Sequence, residues 1–249
     1  MPHTLDRGDG VELAYELSSG REPTLVFLPG FGSDMTGDKA AMLAKFAAMH
    51  GHACLRLDYA GHGASGGIFA EGTIGAWTSD ALFLIDRLTA GPIVLVGSSM
   101  GGWIALLVAR ARPARVSAVV GIAAAPDFTE DLIWAGLTEE GRAKMQADGL
   151  LRVPSAYGDA QILSLTLIEE GRAHLLLGAP IPLTCPLRLL HGQADADVPW
   201  QTALRLAERW QGPDVELTLI KDGGHRLSRP QDMATLRRLV SPLLLQDGL

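Results

Sequence analysis

Gly97, Ser99 and Gly101 sit at alternate positions in a chain segment that is otherwise apolar from Pro92 to Ala109. The β-branched residues Ile93, Val94 and Val96 read as a strand, and Ile104, Leu107 and Val108 recur at helical spacing. A serine flanked by glycines between strand and helix is projected at the tip of a tight turn, where a base can reach its hydroxyl. With 12 serines and 29 glycines, chance supplies about 0.16 such patterns in a chain of this composition, so the strand and helix context carries the argument. The alternatives are weaker. Ser99 as a plain helix cap explains neither glycine, and Ser98 has Met100 rather than glycine two positions on.

A serine nucleophile needs a base, and the base needs a carboxylate; on a strand-turn-helix scaffold of this kind they follow in the order serine, acid, histidine. The run His191-Gly192-Gln193-Ala194-Asp195-Ala196-Asp197-Val198-Pro199 follows an apolar strand and offers the acid. Asp195 lies in the loop, whereas Asp197 stands near Pro199 and suits a helix start, so Asp195 is preferred. His191 is expected to fill the strand end. The run Asp222-Gly223-Gly224-His225 follows the next strand, and its paired glycines let the loop return His225 over the sheet as the general base. Two backbone N–H groups are expected to hold the oxyanion: Met100, directly after the nucleophile, and Phe31, in the loop Pro29-Gly30-Phe31-Gly32-Ser33.

These residues need a frame. Strands are expected at 11–17, 24–28, 53–58, 93–97, 116–123, 187–190 and 215–220, and helices at 38–49, 77–88, after Ser99, from Pro199 to Trp210, and after Pro230. Strands alternating with helices imply an α/β fold, a mainly parallel sheet with helices on both faces. From about 127 to 183 the alternation lapses, and Gly136, Gly149, Pro154, Gly158 and Gly171 suggest short helices inserted over the strand ends. Leu132, Ile133, Trp134, Leu137, Leu163, Leu165, Leu167 and Ile168 in this insertion either line an acyl pocket or pack it onto the sheet.

The 249 residues suit one domain, 1–249, and 47% apolar with 20% charged residues is a globular composition. A net charge of −7 argues against nonspecific nucleic-acid binding, and no apolar run approaches a membrane span. Cys54 and Cys185 read as small buried hydrophobes of a reducing compartment. With no leader-like pattern at the N-terminus, a cytoplasmic location is expected. His62, in a glycine-rich loop after a strand, lies near the cleft but has no place in the chain order. His50 and His52 lack a third ligand, so neither a metal nor a cofactor is expected, and His3 and His174 read as surface or cap residues.

The segments Gly51–Tyr59, Gly97–Trp103, Arg188–Gly192 and Val198-Pro199-Trp200 resemble the α/β-hydrolase superfamily, and within it the palmitoyl-protein thioesterase and acyl-glucuronide esterase group. The resemblance runs from about residue 24 to the 230s. It implies that Ser99, Asp195 and His225 occupy triad positions, that the insertion is a small helical cap, and that the substrate is an acyl ester or thioester, either a small molecule or an S-acylated protein. The chain departs from the group at Gly223-Gly224, where a more polar pair is expected. Competing readings keep the same residues: C–C bond hydrolysis, perhydrolysis, or a silent binding protein.

Overall fold

The β-branched runs pair into one eight-stranded sheet in the computed structural model, which describes residues 2–155 and 158–245, the side chains of 154–161 excepted. In chain order the sheet strands are β1 (His3–Asp6), β2 (Glu12–Ser18), β3 (Arg21–Leu28), β4 (His52–Leu57), β5 (Ile93–Ser98) and β6 (Val116–Ile122). A hairpin, β7 (Leu150–Ser155) and β8 (Gly158–Ser164), stands apart from them, and β9 (Leu187–Gly192) and β10 (Val215–Ile220) complete the sheet. The spatial order is β1-β2-β4-β3-β5-β6-β9-β10. Pairing is antiparallel at β1/β2 and β2/β4 and parallel everywhere else.

The parallel strands are apolar on both faces because both faces are covered. Along β5, Ile93 and Leu95 pack into one core with Trp77 of α2 (Ile74–Leu88), Trp103 of α3 (Met100–Ala111), and Leu206 of α6 (Gln201–Arg209). Val94 and Val96 point the other way, toward Leu43 of α1 (Asp38–Met49) and Leu236 of α7 (Pro230–Leu244). α3 is the central helix: ten of its twelve residues are buried, so it is apolar on nearly every side. α2 starts three residues before the expected Trp77, because the Thr73 hydroxyl accepts the Ala76 N–H at 3.2 Å and caps it.

Between β6 and β9 the chain leaves the sheet. It forms a π-type turn (Thr129–Trp134), α4 (Glu139–Asp148), the β7–β8 hairpin and α5 (Leu165–Gly171). The hairpin corrects the expectation of short helices throughout. Gly149 ends α4 in the left-handed conformation at φ 73°, and the chain then pairs Leu151 with Leu163 and Arg152 with Ile162. Pro154 and Gly158, read as breaks between helices, lie in the strands of the hairpin instead. Buried Asp127 fastens the segment at its base: its two carboxylate oxygens each accept one N–H, from Leu176 and Leu177, both at 2.8 Å.

Candidate active site

Ser99 follows β5 and caps α3 with φ 54° and ψ −120°, a left-handed backbone that a non-glycine residue adopts only when its surroundings enforce it. The neighbours supply the enforcement. A Cβ at Gly97 would stand 2.1 Å from the carbonyl oxygen of Gly101, and one at Gly101 would stand 2.1 Å from that of Leu28. Only glycines permit strand, turn and helix to approach this closely.

Across from the turn, His225 on the loop after β10 places Nε2 3.0 Å from Ser99 Oγ and Nδ1 2.8 Å from Asp195 Oδ2. Asp195, on the loop after β9, is shielded from solvent. Its Oδ1 accepts the backbone N–H groups of Asp197 and Val198, each at 2.9 Å. Burial alone would push its pKa up; hydrogen bonds from His191, His225 and the Val198 N–H outweigh that and hold it well below the ordinary carboxylate range. Asp195 is therefore an ionised acceptor. Asp197 is exposed, and α6 is capped at Trp200 rather than by an aspartate side chain.

Met100 is the first residue of α3, so its N–H has no acceptor one turn back in the helix. The Phe31 N–H donates to no group among the described residues. The Phe31 loop abuts the turn, since a Cβ on Gly30 would stand 3.3 Å from the Ser99 Cβ. The Phe31 ring packs edge-on against Phe69, Trp77 and Phe128, at centroid distances of 4.8, 5.8 and 5.9 Å.

His62 lies buried beside this loop, where the Gly32 N–H donates to its Nε2 at 3.2 Å. Burial pushes its pKa down to about 4, so it is a neutral acceptor that holds the loop in place. This loop-holding role is one that sequence reasoning missed; the glycine-rich setting of His62 was its only signal. Lys39 braces the other side by donating from Nζ to the Arg226 carbonyl at 2.6 Å, next to His225. His50 and His52 each direct Nδ1 at a backbone carbonyl and do not converge. Among the described residues, Asp195, Asp197 and His225 bring metal-type donor atoms within 4.8 Å, but Asp195 and His225 are already bonded to each other.

The cleft over Ser99 has a volume of about 700 Å³ and a lining of mixed polarity. Its lining includes the apolar Phe31, Phe128, Leu132, Ile133 and Leu163, and the charged Asp34, Asp38, Lys39, Asp197 and Arg226. Of the insertion residues offered as lining, Leu132, Ile133 and Leu163 do line the cleft. Trp134, Leu137 and Leu165 pack the insertion against Met145 and Ile168, and Leu167 joins the main core.

The alpha/beta hydrolase family model matches residues 25–236. The chain belongs to the alpha/beta hydrolase family. This hydrolase is 40% identical to the mouse protein named palmitoyl-protein thioesterase ABHD10, mitochondrial, over 96% of this chain and 81% of the relative. The structure of mouse alpha/beta hydrolase domain-containing protein 10 superposes with a TM-score of 0.90 at 39% identity, covering 98% of both chains. A hydrolase of Agrobacterium vitis, titled putative, superposes at 0.94 with 41% identity and the same coverage. The family and fold agree with the sequence resemblance.

The expected cytoplasmic location does not stand, because the 40%-identical mouse relative is named as mitochondrial. Unpaired cysteines separate oxidising from reducing compartments and cannot tell one reducing compartment from another. No helix among the described residues is long and apolar enough to cross a membrane.

Proposed function

We propose that this alpha/beta hydrolase cleaves acyl thioesters and esters through a Ser99–His225–Asp195 triad. The observation that carries the reading is the continuous path from Ser99 Oγ through both ring nitrogens of His225 to Asp195 Oδ2, at 3.0 and 2.8 Å. Ionised Asp195 accepts the Nδ1–H of His225, which leaves Nε2 unprotonated and facing the hydroxyl. Nε2 takes the proton as Oγ attacks the acyl carbonyl. The Met100 and Phe31 N–H groups receive the oxyanion, and the imidazolium then protonates the departing thiolate or alkoxide. Water, activated by the same Nε2, releases the acyl group from Ser99 in the second half-reaction.

The insertion at 127–183 serves as the cap. Its apolar lining holds the acyl chain, and the charged lining of the cleft faces the leaving group. The name of the mouse relative favours a thioester, and a cleft of about 700 Å³ is in the range for a drug-sized ligand. Fluorophosphonate labelling tests the mechanism: the wild type is expected to label and Ser99→Ala to stay unlabelled. Equal labelling of both would overturn it. Turnover across p-nitrophenyl esters from acetyl to palmitoyl tests the apolar lining, and a strong preference for acetyl would refute an acyl-chain site.

A further inference from the structure

His191 occupies the next-to-last position of β9 with only 1% of its surface exposed. Its Nε2 lies 3.0 Å from the Val198 carbonyl oxygen and 3.2 Å from Asp195 Oδ2. Its Nδ1 is buried and has no hydrogen-bond partner among the described residues. A carbonyl and an ionised carboxylate can only accept, so the nitrogen facing both must carry the proton. The ring is thus the Nε2–H tautomer, donating to the Val198 carbonyl with Asp195 Oδ2 beside the same N–H, and with a bare Nδ1 turned into the protein.

We infer that His191 is a positioning residue that acts through Asp195, sharing Oδ2 with His225 and so setting both the orientation and the basicity of the general base. A carboxylate offers about four lone-pair directions. Here two backbone N–H groups occupy Oδ1 and the His225 N–H occupies Oδ2, while the His191 Nε2–H, bonded to the Val198 carbonyl, stands 3.2 Å from Oδ2 on its other side. Rotating the carboxylate would break these hydrogen bonds and lose the His191 contact. The His191 donor also draws charge from the oxygen that stabilises the His225 imidazolium. Without it, Oδ2 would bind His225 more strongly, and the carboxylate would lose one of the contacts that orient it. The other charged groups lining the cleft are Asp34, Asp38, Lys39, Asp197 and Arg226.

The inference rests on the triad reading, and the test separates the two. In His191→Phe, kcat on a p-nitrophenyl ester, per site titrated with fluorophosphonate, is expected to fall about tenfold to a hundredfold, with KM within about twofold. The acidic limb of its kcat/KM profile should move to higher pH. His191→Gln places an amide N–H near Nε2 and should recover most of kcat. Full kcat per titrated site in His191→Phe with an unmoved acidic limb, while Ser99→Ala is inactive, would overturn the inference and leave the triad standing. Equal losses in both His191 variants would also overturn it. Long-range proton–nitrogen NMR of the wild-type histidine rings needs no variant: the neutral His191 ring is expected as the Nε2–H tautomer. An Nδ1–H tautomer would refute the assignment.

Discussion

Ser99 and Leu163 both face the cleft, yet they are held there by opposite means. Ser99 stands on a turn whose neighbours touch at backbone level, so its position is dictated by glycines, a strand end and a helix start. Leu163 stands on a two-stranded hairpin packed against Met145 and Ile168, within an insertion that Asp127 fastens at its base. The shelf formed by the loops after β5, β9 and β10 tolerates almost no change in shape, because chemistry needs atoms placed to within a few tenths of an ångström. The insertion must only present apolar surface, so many sequences would serve. Precision is concentrated in one region and adaptability in the other.

That contrast can be broken by experiment. The largest effect is expected at the acid: Asp195→Asn should lower kcat about ten-thousandfold by favouring the wrong His225 tautomer, whereas Asp197→Asn should stay within a few-fold. Reversed effects would move the acid to Asp197. Next, Gly97→Ala forces a Cβ against the Gly101 carbonyl and should cost about 3 kcal/mol or more, a fall in Tm of roughly 6–12 °C. Gly136→Ala, in the insertion with open space around it, should shift Tm by less than about 2 °C in a thermal melt.

His62 supplies a pH test of the shelf. Its pKa falls on folding from the ordinary 6.5 to about 4, so between those values the unfolded chain binds more protons and stability drops as pH falls. Denaturant unfolding should show a loss of at most roughly 3 kcal/mol between pH 6.5 and 4, and His62→Gln should remove that part of the slope. The smallest effect belongs to the insertion. Leu132→Trp fills part of the apolar lining and should lower kcat/KM for long acyl esters about tenfold relative to short ones, with fluorophosphonate labelling unchanged.

The same contrast explains what could be read from the residues alone. Ser99, Asp195 and His225 were legible because each follows a strand in a fixed chain order, and the loops that carry them are marked by glycine and proline. The long strands were legible from runs such as Ile93–Val96, while β1, only four residues at the sheet edge, left no periodic signal. The hairpin was missed because Gly149, Pro154 and Gly158 break a helix and turn a hairpin equally well. Leu132 and Trp134 are two apolar residues on one short turn, one facing the cleft and one packing beneath, and composition cannot distinguish them. His191 was read as filling a strand end, which it does. Its contact with Asp195 depends on how the next four residues curl, and no single-residue property encodes that.

Asp127 gives the molecule a property that neither the cleft nor the shelf explains. One carboxylate ties residue 127 to 176 and 177, so the path out of the sheet and the path back meet at a single clasp. For a chain whose ends are already pinned, doubling the enclosed length costs only about 0.6 kcal/mol. What lies between can therefore be lengthened, shortened or exchanged at small entropic cost, like a blade in a handle.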